Sequence, residues 1–377
     1  MKYDVLVTDA EQRVALEIVR SLGISGLKIV TVELKKNSSK PLTAASRYSN
    51  SFQAVSSYES DDFFELCKIS RVVIPVSTNT IITCRTKLYE KFPEKLLLPD
   101  KTLFNEVNDK YLLSLKAEKS GIRIPKTVIL SEKSDFKSEA EKSGYPLVLK
   151  LQNDKGLYLS PAERYRIVHS PLKLEKAWKE LIRHGKELLM QEYVAGYGVG
   201  FSAVYDENHK CAASFQHKRL REYPIEGGPS TYCESIFKEL IDTEGRKLLD
   251  ELKWTGPAMV EFKYNESSDK LYLLEINPRY WGSLPLARHS GLNLPLIHYN
   301  ILTGKENTLE KDYIKGIKVK FFITDFLAAM KEISRKKRYI LQTMHYLKEF
   351  FDLKLKWGLW MLRDPLPSIR YLINHLR

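Results

Sequence analysis

The chain has 377 residues, 43% of them apolar and 28% charged, a balance that supports two or three domains with real cores. No stretch approaches twenty consecutive apolar residues and the N-terminus enters a strand at once, so neither a spanning helix nor a signal peptide is expected, and the expected location is cytoplasmic. The formal net charge of +13 suits an anionic substrate, nucleic acid or an acidic membrane surface and does not choose among them. Cys67, Cys84, Cys211 and Cys233 are scattered without C-x-x-C spacing, which reads as reduced thiols.

Residues 3–8 form a short apolar strand. Residues 11–22 have helical spacing, with Val14, Leu16, Ile18, Val19 and Leu22 apolar, and Gly23 and Gly26 end the helix. Residues 27–32 are a second strand, 63–69 a helix and 71–76 another buried strand. Strand–helix–strand order predicts a parallel sheet and a Rossmann-like unit. A dinucleotide fingerprint would need Gly-x-Gly-x-x-Gly after the first strand, but the residues there are Thr8, Asp9, Ala10, Glu11 and Gln12. An NAD enzyme is therefore not expected. The strand end Pro75-Val76-Ser77-Thr78-Asn79 is where a ligand lies by the switch-point rule, and an ordinary polar loop accounts for it equally well.

Residues 108–119 read as a helix ended by Gly121, and 122–130 lead into a strand. Residues 145–150 are an apolar strand ending in Lys150, which sends an ammonium toward a site edge. The run LQNDKGLYLSPAERYRIV follows with a single glycine, Gly156. Backbone N–H groups of a suitable turn could cradle phosphate there, with Lys155, Arg164 and Arg166 as side-chain donors. Residues 171–184 are a helix with Leu172, Leu174, Ala177, Trp178 and Leu181 along one face, and LLMQEYV at 188–194 comes next. Gly196, Gly198 and Gly200 alternate, and a turn into the strand at 201–205 explains them. Residues 214–223 mix cations with aromatics. They fit a nucleic-acid surface, an anion clamp through Arg219 or Arg221, or a solvated strand edge. Residues 236–252 are a helix, and Gly256-Pro257 is expected to break the chain.

Residues 259–282, MVEFKYNESSDKLYLLEINPRYWG, carry the most chemistry. They read as strands at 260–264 and 271–277 joined by a polar turn. Glu275 and Asn277 share a face, and folding about Ser268 places Glu261 opposite Glu275. Two carboxylates and an amide oxygen on one surface suit Mg²⁺, and Arg279 just beyond could clamp a phosphate. The apolar flanks in LLEINPR argue against ordinary surface acids, because an unpaired buried carboxylate is costly. Helices at 285–292 and 294–302 carry His289 and His298, which read as satisfied helix histidines. Residues 306–377 hold 15 Lys and Arg against 8 Asp and Glu. Arg335-Lys336-Lys337-Arg338 precede an expected helix running from Ile340 past Trp357 and Trp360 to Leu362, stopped by Asp364-Pro365. Its apolar face suits anionic lipid, the body of the protein or a second subunit.

GPAMVEFK followed by LYLLEINPRYWGSLPLARHSGLNLP resembles the ATP-grasp superfamily, on the branch similar to the carbamoyl-phosphate synthase large subunit and its carboxylate–amine ligases. The resemblance covers residues 1–305. It implies an α/β ATP-grasp fold, with a Rossmann-like pre-ATP-grasp domain at 1–105 and an ATP-grasp domain at 106–305. The latter would comprise an α+β lid over 125–190 and a C-terminal nucleotide-binding domain, followed by a basic helical extension at 306–377. It implies ATP with Mg²⁺, or Mn²⁺ as an alternative, and a metal on Glu261, Glu275 and Asn277. Arg279 would contact the transferred phosphate, with Arg219 or Arg221 as an anion clamp. Lys110, Lys150, Gln191, Glu192, Tyr193 and Val194 would contact the nucleotide, Gln191 by its amide oxygen and Glu192 and Val194 by their backbone. The implied activity joins a small-molecule carboxylate to an amine through an acyl phosphate, with no nucleic acid partner. Residues 335–363 are the candidate for peripheral membrane or homodimer contact. The chain departs from many relatives in its single-glycine lid loop and in having no carboxylate near Gly198 for ribose. The same site could serve a small-molecule phosphotransferase. A basic surface-binding protein with a regulatory nucleotide site is a reading from another class.

Overall fold

The computed structural model describes residues 1–35, 40–152, 159, 161–185, 187–225, 227–307, 312–335 and 339–376. Lys155, Gly156, Lys336, Lys337 and Arg338 lie outside the described residues. Four strands, β1 (Tyr3–Val7), β2 (Ile29–Leu34), β3 (Ser51–Val55) and β4 (Ser70–Ile74), form the expected parallel sheet in the order β3-β2-β1-β4. The helix Arg13–Ile24 packs Ala15, Ile18, Val19 and Leu22 into the core that holds Val5 and Val7 of β1. Strand β3 escaped the sequence pattern because it is an edge strand whose Gln53 and Ala54 face solvent. At the end of β1, Asp9 adopts a positive φ of 55° and turns its carboxylate inward. Its oxygens accept from the Ser77 N–H at 3.1 Å and the Thr80 hydroxyl at 2.8 Å. The Asp9 carboxylate thus ties the end of β1 to the segment that follows β4.

The helix expected at 108–119 is present as Lys110–Lys119, and a helix that the sequence reading did not mark, Lys101–Asn108, precedes it. Each has its own aspartate cap. Asp100 accepts from the Thr102 and Leu103 N–H groups, and Asp109 from those of Tyr111 and Leu112. A second sheet follows, made of β5 (Thr127–Ser131), β6 (Leu147–Leu151), β7 (Tyr165–Val168) and β8 (Glu187–Glu192). It is antiparallel in the order β5-β8-β6-β7. Helices Phe136–Ser143 and Pro171–Ile182 cover it, with Phe136 stacked on Trp178 at 4.5 Å between ring centroids.

The third sheet has seven strands: β9 (Tyr197–Tyr205), β10 (Cys211–Glu222), β11 (Ser230–Ile236), β12 (Gly256–Asn265), β13 (Lys270–Asn277), β14 (Lys318–Lys320) and β15 (Leu355–Trp357). They lie in the order β13-β12-β9-β10-β11-β14-β15. Gly256 and Pro257 do not break the chain but open β12. Pro257 pairs with Val204 on one side and lies beyond the end of β13 on the other, where no ladder asks for its missing N–H. Gly256 has φ +86°, and a Cβ there would stand 2.4 Å from the Leu97 carbonyl oxygen.

The C-terminal segment differs most from expectation. The helix at its centre stops at Lys348, and β15 takes up Leu355 to Trp357. Leu353-Lys354-Leu355-Lys356-Trp357 alternates with the period of a strand, which the surrounding apolar residues mask. This segment is not an appendage, because β14 pairs with β11 and extends the third sheet. Ile340, Phe351, Leu353 and Leu362 stay more than three-quarters exposed. No helix among the described residues is long and apolar enough to cross a membrane. Nor does Asp364 stop a helix. It is buried and accepts from Arg20 Nε at 2.9 Å, Ser46 Oγ at 2.8 Å and the Arg47 N–H at 2.9 Å. Arg20 also donates to the carbonyls of Leu359 and Asp364. Asp364→Ala would leave a guanidinium buried without its counterion. The expected loss is ~3–5 kcal/mol of stability, read as a lower urea midpoint at constant slope. An unchanged midpoint would show that the pair contributes nothing.

Candidate active site

The β12–β13 hairpin brings two carboxylates to one face by an irregularity. From the turn upward, Asn265 pairs with Lys270 and Phe262 with Leu273, and a regular ladder would then oppose Glu261 to Leu274. Leu274 is instead skipped as a bulge, and Glu261 faces Glu275. The Asn277 amide nitrogen donates to both, at 3.0 Å to Glu261 and 3.1 Å to Glu275. Its oxygen accepts from Arg279 Nη2 at 3.1 Å, and Arg279 Nε reaches Thr78 Oγ1 at 3.1 Å. The hairpin is thereby tied to the end of the first sheet, at the loop the sequence marked.

Arg219 of β10 ion-pairs directly with Glu261, and its other nitrogen lies 3.3 Å from Glu222. It reaches across β9 because Gly198 is there; a Cβ at Gly198 would stand 2.8 Å from Arg219 Cδ. Gly200 makes the same room for the His217 ring, where a Cβ would come within 2.3 Å of Cε1. Gly196 lies in the bend before β9, as expected, whereas Gly198 and Gly200 lie in the strand itself and clear a path for two side chains of the neighbouring strand. Burial, with Arg219 beside it, pushes His217 down to about 3, so its ring is neutral. Burial and the nearby Glu275 raise Glu261, against the opposing pull of Arg219. Among the described residues Glu275 has no ion-pair partner. Two facing acids, of which only Glu261 meets a cation directly, keep a negative surplus, and a divalent cation on hard oxygen ligands fits that donor set.

From the second sheet, Lys150 donates to Gln191 Oε1 at 3.0 Å, and Gln191 Nε2 donates to Thr127 Oγ1 at 2.8 Å. The Gln191 amide, expected to read a base, has both ends taken. The Glu192 N–H is likewise bonded to the Lys126 carbonyl, at 2.8 Å. Desolvation, helped by Lys110, pushes Lys150 down to about 8, against the pull of Glu275.

All these groups border one cavity of ≈ 370 Å³. Its hairpin wall carries Arg219, Glu261, Glu275, Asn277 and Arg279; its opposite wall carries Lys110, Lys150, Gln191, Glu192, Tyr193 and Val194. Arg164 and the turn Gly227-Gly228-Pro229-Ser230 also line it. Two candidates lie elsewhere. Arg166 pairs with Glu180 at 2.9 Å. Arg221 is outside the cavity, with Nη1 at 2.8 and 2.9 Å from the Asp325 oxygens and Nη2 at 2.8 Å from Glu349. It ties β10 to the C-terminal segment and does not clamp an anion in the cleft. The sequence reading missed Arg13, His217, Glu222 and Ser283 on the cavity wall. The glycine alternation was the signal for His217, and the stretch R-x-x-E at 219–222 for Glu222.

A family model described as ATP-grasp in the biosynthetic pathway with Ter operon matches residues 185–323. The carbamoyl phosphate synthase large chain of Rhodopirellula baltica is 23% identical over 233 residues, covering 58% of this chain and 21% of that protein. This chain thus spans about a fifth of the curated relative. Among solved structures, an ADP complex of N5-carboxyaminoimidazole ribonucleotide synthetase superposes with a TM-score of 0.68 at 15% identity, over 89% of this chain and 85% of that one. The biotin carboxylase domain dimer of Hydrogenobacter thermophilus 2-oxoglutarate carboxylase, in complex with MgADP, ADP and bicarbonate, gives 0.63 at 14% identity, over 84% and 74%. The fold is that of ATP-grasp proteins, and the chain is similar over residues 185–323 to an ATP-grasp family and more widely to the carbamoyl phosphate synthase large chain.

Proposed function

We propose that the protein is an ATP- and Mg²⁺-dependent ligase that joins a small-molecule carboxylate to an amine and releases ADP and phosphate. The observation that carries this reading is the convergence on one cavity of two like-charged acids, Glu261 and Glu275, with the cations Lys110, Lys150 and Arg279. That is the charge pattern of a site for a metal-bound polyphosphate. The complexes of structural neighbours with ADP and MgADP support it.

The proposed chemistry has two steps. A carboxylate oxygen of the substrate attacks the γ-phosphorus, the bond to the β-phosphate oxygen breaks, and ADP leaves with that electron pair. The amine nitrogen then attacks the acyl carbon, phosphate leaves, and the nitrogen loses a proton. Glu261, Glu275 and Asn277 would hold Mg²⁺, or Mn²⁺, whose charge offsets that of the phosphates. Lys110 and Lys150 bind phosphate oxygens from the side of the second sheet. Arg279, fixed between Asn277 and Thr78, orients the reacting group where the first and third sheets meet. The second sheet shields the acyl phosphate from water. The proposed partners are a small carboxylate and an amine, not nucleic acid. The exposed apolar side chains within 335–363 offer a surface to a second copy of the chain.

The direct test is hydroxylamine trapping. The full chain is incubated with Mg·ATP, hydroxylamine and pools of carboxylic acids, and hydroxamate and ADP are scored together. Carboxylate-dependent hydroxamate is the expected result. Phosphorylated acceptor without hydroxamate would select a phosphotransferase instead. Glu275→Ala and Asn277→Ala are each expected to lower turnover by ~100-fold or more with the thermal midpoint little changed. Near-normal turnover in either would remove the metal assignment. The depressed Lys150 gives a pH signature. Above a pH of about 8 its ammonium is lost from the free site, and phosphate binding must restore the proton. The dissociation constant for ATP should therefore be flat below that pH and rise by up to ~10-fold per pH unit above it. In Lys150→Arg the profile should flatten, since guanidinium stays charged. A wild-type profile flat to a pH of ~9.5 would exclude Lys150 as a phosphate ligand.

A further inference from the structure

A second cavity, of ≈ 310 Å³, adjoins the cleft and has no part in the chemistry above. Phe322, Phe350, Trp357, Trp360 and Leu372 are among its apolar lining, all of them from the C-terminal segment. Two cations border it, Arg13 and Lys320. Lys320 is buried and already neutralised by Glu349 at 2.6 Å. Arg13 differs. Its guanidinium lies 4.7 Å from the centre of the Phe321 ring and 5.9 Å from that of Tyr371, and no carboxylate among the described residues pairs with it. Stacking on a ring occupies a face of the guanidinium and leaves its edge N–H groups to fork an anion. Arg13 also borders the cleft that holds Lys150 and Arg279 and so is common to both cavities. The junction therefore presents an apolar chamber, a cation at its mouth and a phosphate-type site beyond.

We infer that the chamber takes the apolar body of the carboxylate substrate, an aromatic or medium-chain acyl acid whose carboxylate Arg13 holds at the border of the cleft. Size agrees with this class. A dry apolar cavity of ~150 Å³ accepts benzene, so this chamber has room for a ring with a short chain. A small polar acid would leave aromatic walls unfilled and gain nothing from them. Arg13 would be a binding and orienting residue that turns the carboxylate toward the γ-phosphate. The inference rests on the ligase reading for the carboxylate being the reacting group. The fit of an apolar anion to the chamber stands without it.

Binding and turnover are therefore measured separately on the full chain. Calorimetric titration uses 4-phenylbutanoate, its charge-reversed analogue 4-phenylbutylamine, and succinate. The acid is expected to bind at least ~10-fold more tightly than either comparison ligand. Arg13→Ala should weaken its binding ~10-fold, Arg13→Lys should restore part of the loss, and Leu372→Trp, which narrows the chamber, should weaken it without changing the affinity for ATP. Equal binding of the amine, or unchanged binding in both Arg13→Ala and Leu372→Trp, would overturn the proposal. So would a concentration-dependent dimer that excludes the acid, which would assign the chamber to a second copy. Hydroxylamine trapping with the same acids separates the two readings. Binding of 4-phenylbutanoate without hydroxamate from any acid leaves the chamber standing and sinks the ligase. Hydroxamate from succinate with no binding of 4-phenylbutanoate does the reverse.

Discussion

Two carboxylates on one desolvated face repel each other, and that repulsion organises the centre of this molecule. Glu261 and Glu275 share the Asn277 amide, and among the described residues only Glu261 has a direct cation, Arg219. Burying like charges is costly, so Arg219 must reach Glu261, and its path crosses β9. Gly198 leaves that path open, and Gly200 clears the adjoining space for His217. Glu222 holds the other side of the guanidinium. His217 stays neutral because it is buried beside that same cation. Glycine placement, strand pairing and the protonation of a neighbouring ring all follow from keeping two acids together.

The cleft draws on all three sheets, and each contributes from a rigid element. The hairpin supplies the acids, β6 and β8 supply Lys150 and Gln191, and Thr78 at the end of the first sheet fixes Arg279. Groups held on strands keep tighter geometry than groups held on loops, which suits phosphate chemistry that depends on positioning. The C-terminal segment steadies the back of the third sheet. Asp325 is fully buried between Arg221 and Lys320, and Glu349 pairs with both cations. Severing such a network would strand several buried charges at once.

The hairpin was legible in the sequence because two short-range signals coincide there, alternation along the strand and acids among apolar residues. Its register was legible only in part. Folding about Ser268 puts Glu261 opposite Glu275, as observed, but the rest of the ladder pairs one residue out of that register, and the bulge that reconciles the two has no signature beyond the need to pair the acids. Gly198 and Gly200 read as part of a turn because the side chains they make room for, Arg219 and His217, lie on a different strand. Arg221 read as a substrate clamp because its three acidic partners, Asp325, Glu332 and Glu349, are more than a hundred residues downstream. Asp364 read as a helix stop for the same reason, since Arg20 is 344 residues away in sequence. Local pattern reports what a residue is; a buried charge is explained by a partner that pattern does not reach.

That limit bears on how specificity is divided along the chain. The family match ends at residue 323, and Phe350, Trp357, Trp360 and Tyr371 of the second cavity's aromatic wall come from beyond it. On the proposed function, the acids and lysines of the cleft would recognise only what polyphosphates and metal ions have in common. An apolar chamber selects by volume and hydrophobicity, and each buried methylene contributes ~0.8 kcal/mol of discrimination. A shared reaction centre with a separately built chamber lets one change without the other, because β14 and β15 are added at the edge of the sheet far from β12 and β13. Arg13 is the residue where the two meet. It stands at the start of the first long helix, its guanidinium lies over the rings of Phe321 and Tyr371 from the C-terminal segment, and it lines both cavities.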